Sequence, residues 1–417
     1  MITWANLRAS ATPWLALPAL FYVGLYIDDV APPVTSGYGV ESGELAAFAM
    51  AVVAPAVAGA AAWEAGRHHR LGAMRAISAR PFPQELVRAV TPVLILHLVL
   101  LIGALVIARR ATGVWPGGAG WLAVVHLVVL PLGWLVIGWC LGLRLPGSVA
   151  APLVGIACWA WLSMPQATGN PWLRHLSGFI DGTSSVTDIR RPAVFVVPWL
   201  VVAGLALAVW SLTGARRRPW VPVVGIVVAA AAFTAGRGLV IDWGYQPPTY
   251  PRQVAMACTG QAPRVCVPPE YAPYAERLRR NALGPIGRLK AAGLAAPQEL
   301  RVASADVPSE PGTWPLYWSP VSLHDRDGGP QYIANLAEAA VTGTAAQVGL
   351  ADCRQPGSPP AAWAALVMGF DEQTMRQGMP PADWEALLKV RGLSATEQAA
   401  WFDRAVGSQR HCVRGME

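Results

Sequence analysis

The stretch Gly120–Gly142, GWLAVVHLVVLPLGWLVIGWCLG, contains no Asp, Glu, Lys or Arg. About 20 residues of this kind form a helix that crosses the roughly 30 Å hydrocarbon core of a bilayer. Other stretches between Pro13 and Leu239 are apolar over a comparable length. The seven predicted spans are residues 13–28, 44–64, 90–108, 120–142, 148–164, 193–213 and 219–239. The sequence therefore predicts a polytopic membrane protein.

The composition of the whole chain agrees with this prediction. Its mean hydropathy is +0.38, and only 14% of its residues are charged, whereas about 25% are charged in an ordinary soluble domain. The formal net charge is +7. The excess of positive charge lies before residue 240, where the sequence has 16 Arg and 8 acidic residues. No basic stretch is interleaved with aromatic residues as a nucleic-acid groove requires, so we expect no nucleic-acid partner.

The character of the chain changes near residue 240. Residues 1–240 hold the spans, whereas residues 241–417 are polar and numerous enough to form a core of their own. In this second domain, Ser394 and Glu397 have the spacing of a capping box. The predicted helices are 271–292 with a break at Gly284–Pro285, 331–347, 360–369, 380–391 and 395–408, and the predicted strands are 298–304 and 315–322. The expected fold class is mainly α: a helical membrane bundle of six to seven spans, followed by an α-rich α+β domain.

The arginines predict the orientation of the spans, because cytoplasmic loops retain positive charge. With a cytoplasmic N-terminus, ten arginines fall in inner loops and five in outer loops. The inner set is Arg8, Arg67, Arg70, Arg75, Arg80, Arg88, Arg144, Arg216, Arg217 and Arg218, and the outer set is Arg109, Arg110, Arg174, Arg190 and Arg191. Seven spans then place residues 241–417 outside the cytoplasm, so we expect a multi-pass protein of the plasma membrane with an extracytoplasmic C-terminal domain.

Four of the six cysteines lie in this second domain. An extracytoplasmic compartment is oxidising, and an even number of cysteines there predicts disulfides. Four cysteines allow three connectivities. We expect Cys258–Cys266, because the short segment between them closes easily, and Cys353–Cys412 by elimination. A zinc site is the alternative interpretation, but its usual C-x2–4-C spacing does not occur.

The sequence carries no motif that predicts an enzyme. It has no Walker A motif, no H-E-x-x-H and no G-x-S-x-G, so we expect no catalytic residue, cofactor, metal or ATP hydrolysis in this chain. His97 and His126 fall in the middle of spans. Ionisable groups within a membrane are candidates for function, and a place on a substrate path is one interpretation of these histidines. Hydrogen bonding between helices is the other.

The segment between the second and third spans is the most specific motif. It reads WEAGRHHRLGAMRAISARPFPQEL over residues 63–86. Leu71, Met74 and Ile77 recur at helical spacing and form an apolar face, while arginines and histidines occupy the remainder. Pro81 then ends the helix. Such a helix either lies on anionic lipid or docks on a cytoplasmic partner.

This segment resembles the coupling helix of ABC-2 type transporter permeases. In that family a Glu and a Gly at the end of the second span lead into a short cytoplasmic helix and a Pro-terminated turn, as Glu64, Gly66 and Arg80-Pro81 do here. The resemblance covers about residues 1–215, whereas the seventh span and the C-terminal domain depart from the six-span pattern. The residues implied to contact the partner are Glu64, Gly66, Arg67, Arg70, Leu71, Met74, Arg75, Ile77, Arg80 and Pro81.

The resemblance implies a permease subunit of an ABC exporter that moves an amphiphilic or hydrophobic substrate outward. Its implied partners are a separate ABC ATPase subunit, a second permease subunit in a dimer, and membrane lipid. Two other classes of function are open. One is a non-transporting receptor or assembly protein whose extracytoplasmic domain binds a ligand or partner. The other is a polytopic membrane enzyme, which the absence of an active-site motif disfavours.

Overall fold

A computed structural model describes most of the chain, in two compact units. The described residues are 10–30, 37–70, 82–182, 184–213, 220–304, 307, 310–316, 329–347 and 358–408, without the side chains of 29–30, 68–70 and 82–85. The first unit comprises Met1–Ser184 and Ile189–Thr249, and the second comprises Ser185–Asp188 and Tyr250–Glu417. The division between Thr249 and Tyr250 lies about ten residues beyond the last predicted span, which ends at residue 239.

The first unit is built mainly from helices, because a helix satisfies the backbone hydrogen bonds of an apolar segment internally. Its helices are α1 (Thr12–Val30), α2 (Gly39–Ala47), α3 (Met50–Arg70), α4 (Phe82–Thr112), α5 (Gly120–Gly142), α6 (Gly147–Ser163), α7 (Pro171–Ser177), α8 (Ala193–Thr213) and α9 (Trp220–Val240). Apart from these helices of the first unit, the chain has a two-stranded sheet formed by β1 (Asp188–Arg190) and β2 (Thr249–Pro251).

Five helical segments of the described chain are long and apolar enough to cross a membrane. They are Leu86–Thr112 in α4, α5, Gly147–Ala167 beginning with α6, α8 and α9. Helices α2 and α3 make a sixth if the bent pair is counted as one span. The chain thus has the helices of a polytopic membrane protein. Helix α1 is not among them. Its 19 residues include two prolines and the acidic Asp28 and Asp29, which make it less apolar than these five segments.

Helix α1 nevertheless has one strongly apolar exposed face. Trp14 is 76% exposed, Leu17 76% and Phe21 70%, whereas Val23 and Ile27 on the opposite face are buried in the core of the first unit. An apolar row of this kind is unfavourable in water but suits a hydrocarbon environment. That α1 is the first of seven membrane spans remains a prediction from the sequence.

The second predicted span differs from the expected straight helix over residues 44–64. It begins earlier, at Gly39, and the axes of α2 and α3 differ by 44°. At the bend, the Phe48 and Ala49 N–H groups donate to the carbonyls three residues earlier, Leu45 O at 3.2 Å and Ala46 O at 3.1 Å. Such bonds tighten the helix locally, which breaks the regular α-helical ladder between the two segments.

Glycines bring the helices of the first unit into backbone contact. A Cβ atom at Gly138 would lie 2.2 Å from Ala58 O, and one at Gly142 would lie 2.1 Å from Ala62 O. Hence α5 lies directly against the backbone of α3, in the way small residues allow in membrane helix pairs. At the other end of α5, a Cβ at Gly43 would overlap Gly120 O.

The helix ends of the first unit gather in two groups. At the Glu64 end, which contains residues 10–12, 64–67, 144–147 and 213, Arg144 Nε donates to Thr213 O at 2.9 Å. At the Glu44 end, which contains residues 37–44, 112–120 and 181–190, Gly37 N–H donates to Thr112 O at 2.8 Å. Consecutive long helices therefore alternate in direction, as membrane spans do.

The second unit contains a four-stranded sheet. Its strands are β3 (Ala257–Thr259), β4 (Arg264–Val267), β5 (Glu299–Val302) and β6 (Thr313–Leu316), in the order β3-β4-β5-β6. The β3–β4 pair is antiparallel, and the other two pairs are parallel. Helix α10 (Ala275–Ala291) makes the crossover between β4 and β5. It continues through Gly284 and Pro285, so the predicted break at those residues was wrong.

Five further helices complete the described part of the second unit. They are α11 (Pro330–Gln347), α12 (Pro359–Met368), α13 (Glu372–Gly378), α14 (Pro381–Arg391) and α15 (Ala395–Ser408). The predicted capping box is confirmed: Ser394 N donates to Glu397 Oε2 at 2.9 Å, and Glu397 N donates to Ser394 Oγ at 3.4 Å. Trp314, Trp363 and Phe402 are fully buried, and the Trp363 indole donates to Gln398 Oε1 at 2.9 Å.

Candidate functional site

Glu64 holds together two segments at the Glu64 end of the first unit. Its carboxylate, only 6% exposed, accepts hydrogen bonds from Ser10 Oγ at 2.7 Å and from the Ala11 N–H at 3.2 Å. These donors lie just before α1 begins at Thr12, where free N–H groups and the helix dipole favour an anion. Arg67, one turn further along α3, donates to Glu64 Oε2 at 2.7 Å. The last turns of α3 are therefore tied to the start of α1.

Gly66 fastens the same turn of α3 to a third helix. A Cβ atom at Gly66 would lie 2.8 Å from the backbone N and Cα of Gly147, the first residue of α6. Any other residue would push the two helices apart. Of the predicted partner-contact residues, Glu64, Gly66 and Arg67 thus meet at one junction. The side chain of Arg70 and the segment Leu71, Met74, Arg75, Ile77, Arg80 and Pro81 lie outside the described residues.

An apolar groove of about 640 Å³ runs alongside this junction. Its floor is a stripe of α3 that includes Gly59 and Trp63, and its two walls are the start of α1 and the first half of α6. The lining residues are Ser10, Ala11, Trp14, Leu15, Pro55, Ala56, Gly59, Trp63, Ala151, Pro152 and Gly155. Both α1 and α6 pack on α3, but small residues leave the space between them unfilled.

A buried ion pair lies at the opposite, Glu44 end of the first unit. Arg190 Nε donates to Glu44 Oε1 at 3.0 Å, and the two side chains are only 4% and 2% exposed. Ser184 donates to the same carboxylate through its Oγ, at 2.7 Å, and through its backbone N–H. Arg190 also donates to the carbonyl of Gly182. Because Glu44 belongs to α2, this network fixes the short half of the bent span to the segment that precedes α8.

A small polar cleft adjoins this network. Arg174 donates to Gln166 Oε1 at 2.9 Å and to Asp181 Oδ2 at 3.2 Å. Burial lowers the pKa of His175, the positive charges of Arg174 and Arg190 act in the same direction, and His175 Nε2 donates to Gly244 O at 2.8 Å. The cationic groups of the cleft are thus already matched by anions and carbonyls of the chain.

The two mid-span histidines are both hydrogen bonded between helices. His97 Nε2 donates to Leu127 O at 3.1 Å. His126 Nε2 donates to Gly178 O at 2.7 Å, while its Nδ1 accepts from the Trp199 indole at 2.7 Å. An imidazole that accepts at Nδ1 and donates at Nε2 is neutral. This geometry agrees with the hydrogen-bonding interpretation, and a role in a substrate path remains a prediction.

The second unit contains the expected Cys258–Cys266 disulfide. The two cysteines are directly opposite each other on β3 and β4. Cys353 and Cys412 lie outside the described residues, so their pairing remains a prediction. Cys140 and Cys158 are buried in α5 and α6 and form no disulfide. Among the residues that the structure describes, no group of three or more His, Cys, Asp or Glu side chains could hold a metal ion.

The pairing of Glu44 with Arg190 is not among the features predicted from the sequence. One signal was available, since Glu44 stands within a predicted membrane span, where a carboxylate requires a partner. Its partner could not be identified, because Arg190 is 146 residues away and is one of several arginines in predicted outer loops. The groove beside Glu64 left no signal in the sequence beyond scattered small residues.

Comparison with known proteins gives a match only within the second unit. Residues 265–412 match a family described as "Domain of unknown function (DUF7224)". No curated protein and no solved structure matches the chain. The protein is thus a helical protein with candidate membrane spans, and its second unit is similar to a family whose function is not known.

Proposed function

We propose that the chain is the membrane-spanning permease subunit of an ABC-type exporter and that a separate ATPase acts on it through the basic segment after α3. The observation that supports this proposal is the junction at Glu64. It lies immediately before the basic segment and joins the ends of three helices through Glu64, Gly66 and Arg67.

The junction gives the proposal a mechanical basis. A displacement of the basic segment acts on the last turn of α3, and Glu64 passes it to the start of α1 through two hydrogen bonds. Gly66 passes it to α6, because the two backbones already touch at Gly147. Helix α5 follows α3 through the contacts at Gly138 and Gly142. One contact with an ATPase would therefore move four helices together.

In this proposal the Glu64 end faces the cytoplasm and the C-terminal domain lies outside it. The distribution of arginines supports this orientation, as does the disulfide in the second unit, since disulfides persist in oxidising compartments. Two copies of the chain form the path of an amphiphilic or hydrophobic substrate. The chain itself hydrolyses no ATP.

Charge reversal in the basic segment tests the proposal. We expect the double variant Arg70→Glu and Arg75→Glu to lose its ATPase on purification in detergent, because a buried interfacial charge that loses its partner costs about 2–5 kcal/mol. Arginines that only face lipid contribute on the order of 1 kcal/mol each, and a detergent without anionic lipid removes even that. The matched control reverses Arg217 and Arg218, which lie in another predicted inner loop. An unchanged ATPase yield from the first variant would contradict the proposal.

The features of the second unit favour one alternative function, that of a non-transporting receptor or assembly protein. It has its own sheet, its own aromatic core and a disulfide, and a family of unknown function matches it without the spans. Under this alternative no ATPase accompanies the wild-type chain through purification. A cross-linked partner or ligand is instead recovered on residues of the second unit.

A further inference from the structure

We propose that the groove between α1, α3 and α6 binds an acyl chain of an anionic phospholipid whose headgroup lies at Arg67. The inference concerns a resident lipid and does not depend on an ATPase or on transport. The volume of the groove, about 640 Å³, falls within the roughly 300–1,000 Å³ typical of pockets that bind small molecules.

The lining of the groove indicates an apolar occupant. Apart from the Ser10 hydroxyl and the N–H groups of two indoles, its side chains are apolar, and the large ones are Trp14, Leu15 and Trp63. Ser10 Oγ is already used, because it donates to Glu64. Water would find few hydrogen-bond partners along such walls and gains little by entering. A flexible hydrocarbon chain fills this kind of space without any polar requirement.

The polar end of the groove indicates which lipid it is. Ser10 lines the groove and bonds to Glu64, which in turn pairs with Arg67. Arg67 is 26% exposed and uses Nη1 for Glu64; within the described residues, its Nε and Nη2 have no partner. Guanidinium nitrogens that remain free suit a phosphate, which accepts two parallel hydrogen bonds.

The test is a titration of the full chain, purified and delipidated in a nonionic detergent, with phosphatidylglycerol that carries brominated acyl chains. Bromine quenches tryptophan fluorescence on contact, and Trp14 and Trp63 line the groove. We expect a saturable quenching phase with this lipid. Phosphatidylcholine with the same brominated chains should saturate only at a higher concentration, since its headgroup has no net charge.

Two glycine variants show whether the saturable phase belongs to the groove. A Cβ at Gly155 meets only Pro55 O at 3.6 Å, so Gly155→Leu extends into the groove without forcing the helices apart. We expect it to raise the half-saturating concentration about tenfold or more, because several methylene groups lose their apolar contact. Gly238→Leu is the matched control, since nothing lies within 4 Å of a Cβ there. If Gly155→Leu does not fold, Ala56→Leu fills the same groove from α3.

Arg67→Gln tests the headgroup contact, and it should reduce the affinity for phosphatidylglycerol to that for phosphatidylcholine. The proposal is overturned if quenching of the wild type is not saturable, or if Gly155→Leu titrates like the wild type. It is also overturned if Gly155→Leu lowers the oligomeric state measured by light scattering but leaves the lipid titration unchanged. That result would identify the groove as a contact between two copies of the chain.

Discussion

The substitution Glu44→Gln should destabilise the first unit strongly, because it leaves the guanidinium of Arg190 buried without a counter-charge. Glutamine has nearly the shape of glutamate, but its amide nitrogen replaces one of the two accepting oxygens. The change therefore removes the counter-charge and also one acceptor for Ser184 or Arg190. The two side chains of the pair are 2% and 4% exposed. Removing one partner of such a pair costs about 3–5 kcal/mol. At roughly 2–4 °C per kcal/mol for a unit of this size, the apparent Tm should fall by about 10 °C.

The assay is thermal unfolding of the full chain in detergent at one fixed scan rate, since unfolding of a protein of this kind is commonly irreversible. Asp181→Asn is the matched control. Asp181 pairs with Arg174 nearby, but its side chain is 57% exposed, and pairs of this kind contribute only about 0–1 kcal/mol. The double variant Glu44→Leu, Arg190→Met should recover much of the lost stability, because no charge is left buried. Equal effects of Glu44→Gln and Asp181→Asn would refute this reasoning.

Three further predictions concern the second unit. A reporter fused after Glu417 should be active only if it works outside the cytoplasm, and activity of a cytoplasmic reporter there would contradict the predicted orientation. Cys258→Ala should lower the stability of the second unit by about 2–3 kcal/mol in urea unfolding of the full chain, since the bond to Cys266 closes a loop of about nine residues; an unchanged midpoint would argue against the bond. Burial raises the pKa of Glu299, but Arg264 and a second arginine outweigh it and hold that pKa below its usual value of 4.5. The stability that Glu299 provides should therefore be complete above this pH and be lost as the pH falls below it, and Glu299→Gln should flatten this part of a stability profile.

The sequence predicts those features of the fold that depend on neighbours along the chain. Apolar length alone locates α5, α8 and α9 to within a residue or two of their ends. In the second unit, local periodicity locates α11 and α15. The spacing of Ser394 and Glu397 predicts the capping box at the N-terminus of α15. The Cys258–Cys266 disulfide was also predictable, because the two cysteines are close in sequence.

Features that depend on distant parts of the chain were not predictable. The bend between α2 and α3 has no proline or glycine at Phe48 or Ala49 to indicate it, and the two residues pack where other helices meet. Strands β3 and β4 were missed because each has only three or four residues and is defined by its partner. The three donors around Glu64 could not be anticipated either, since two of them lie more than fifty residues earlier.

The backbone contacts between α3 and α5 determine where this chain can tolerate change. A side chain added at Gly138 or Gly142 would occupy the space of a carbonyl oxygen of α3, and hydrocarbon offers a displaced carbonyl no new donor. Natural variants should therefore keep glycine at both positions, even where the surrounding apolar residues vary. Gly238 has nothing within 4 Å of its Cβ position, so larger residues should replace it without effect. A survey of natural sequences would show the contrast directly, as two invariant glycines on one helix and a variable one on another.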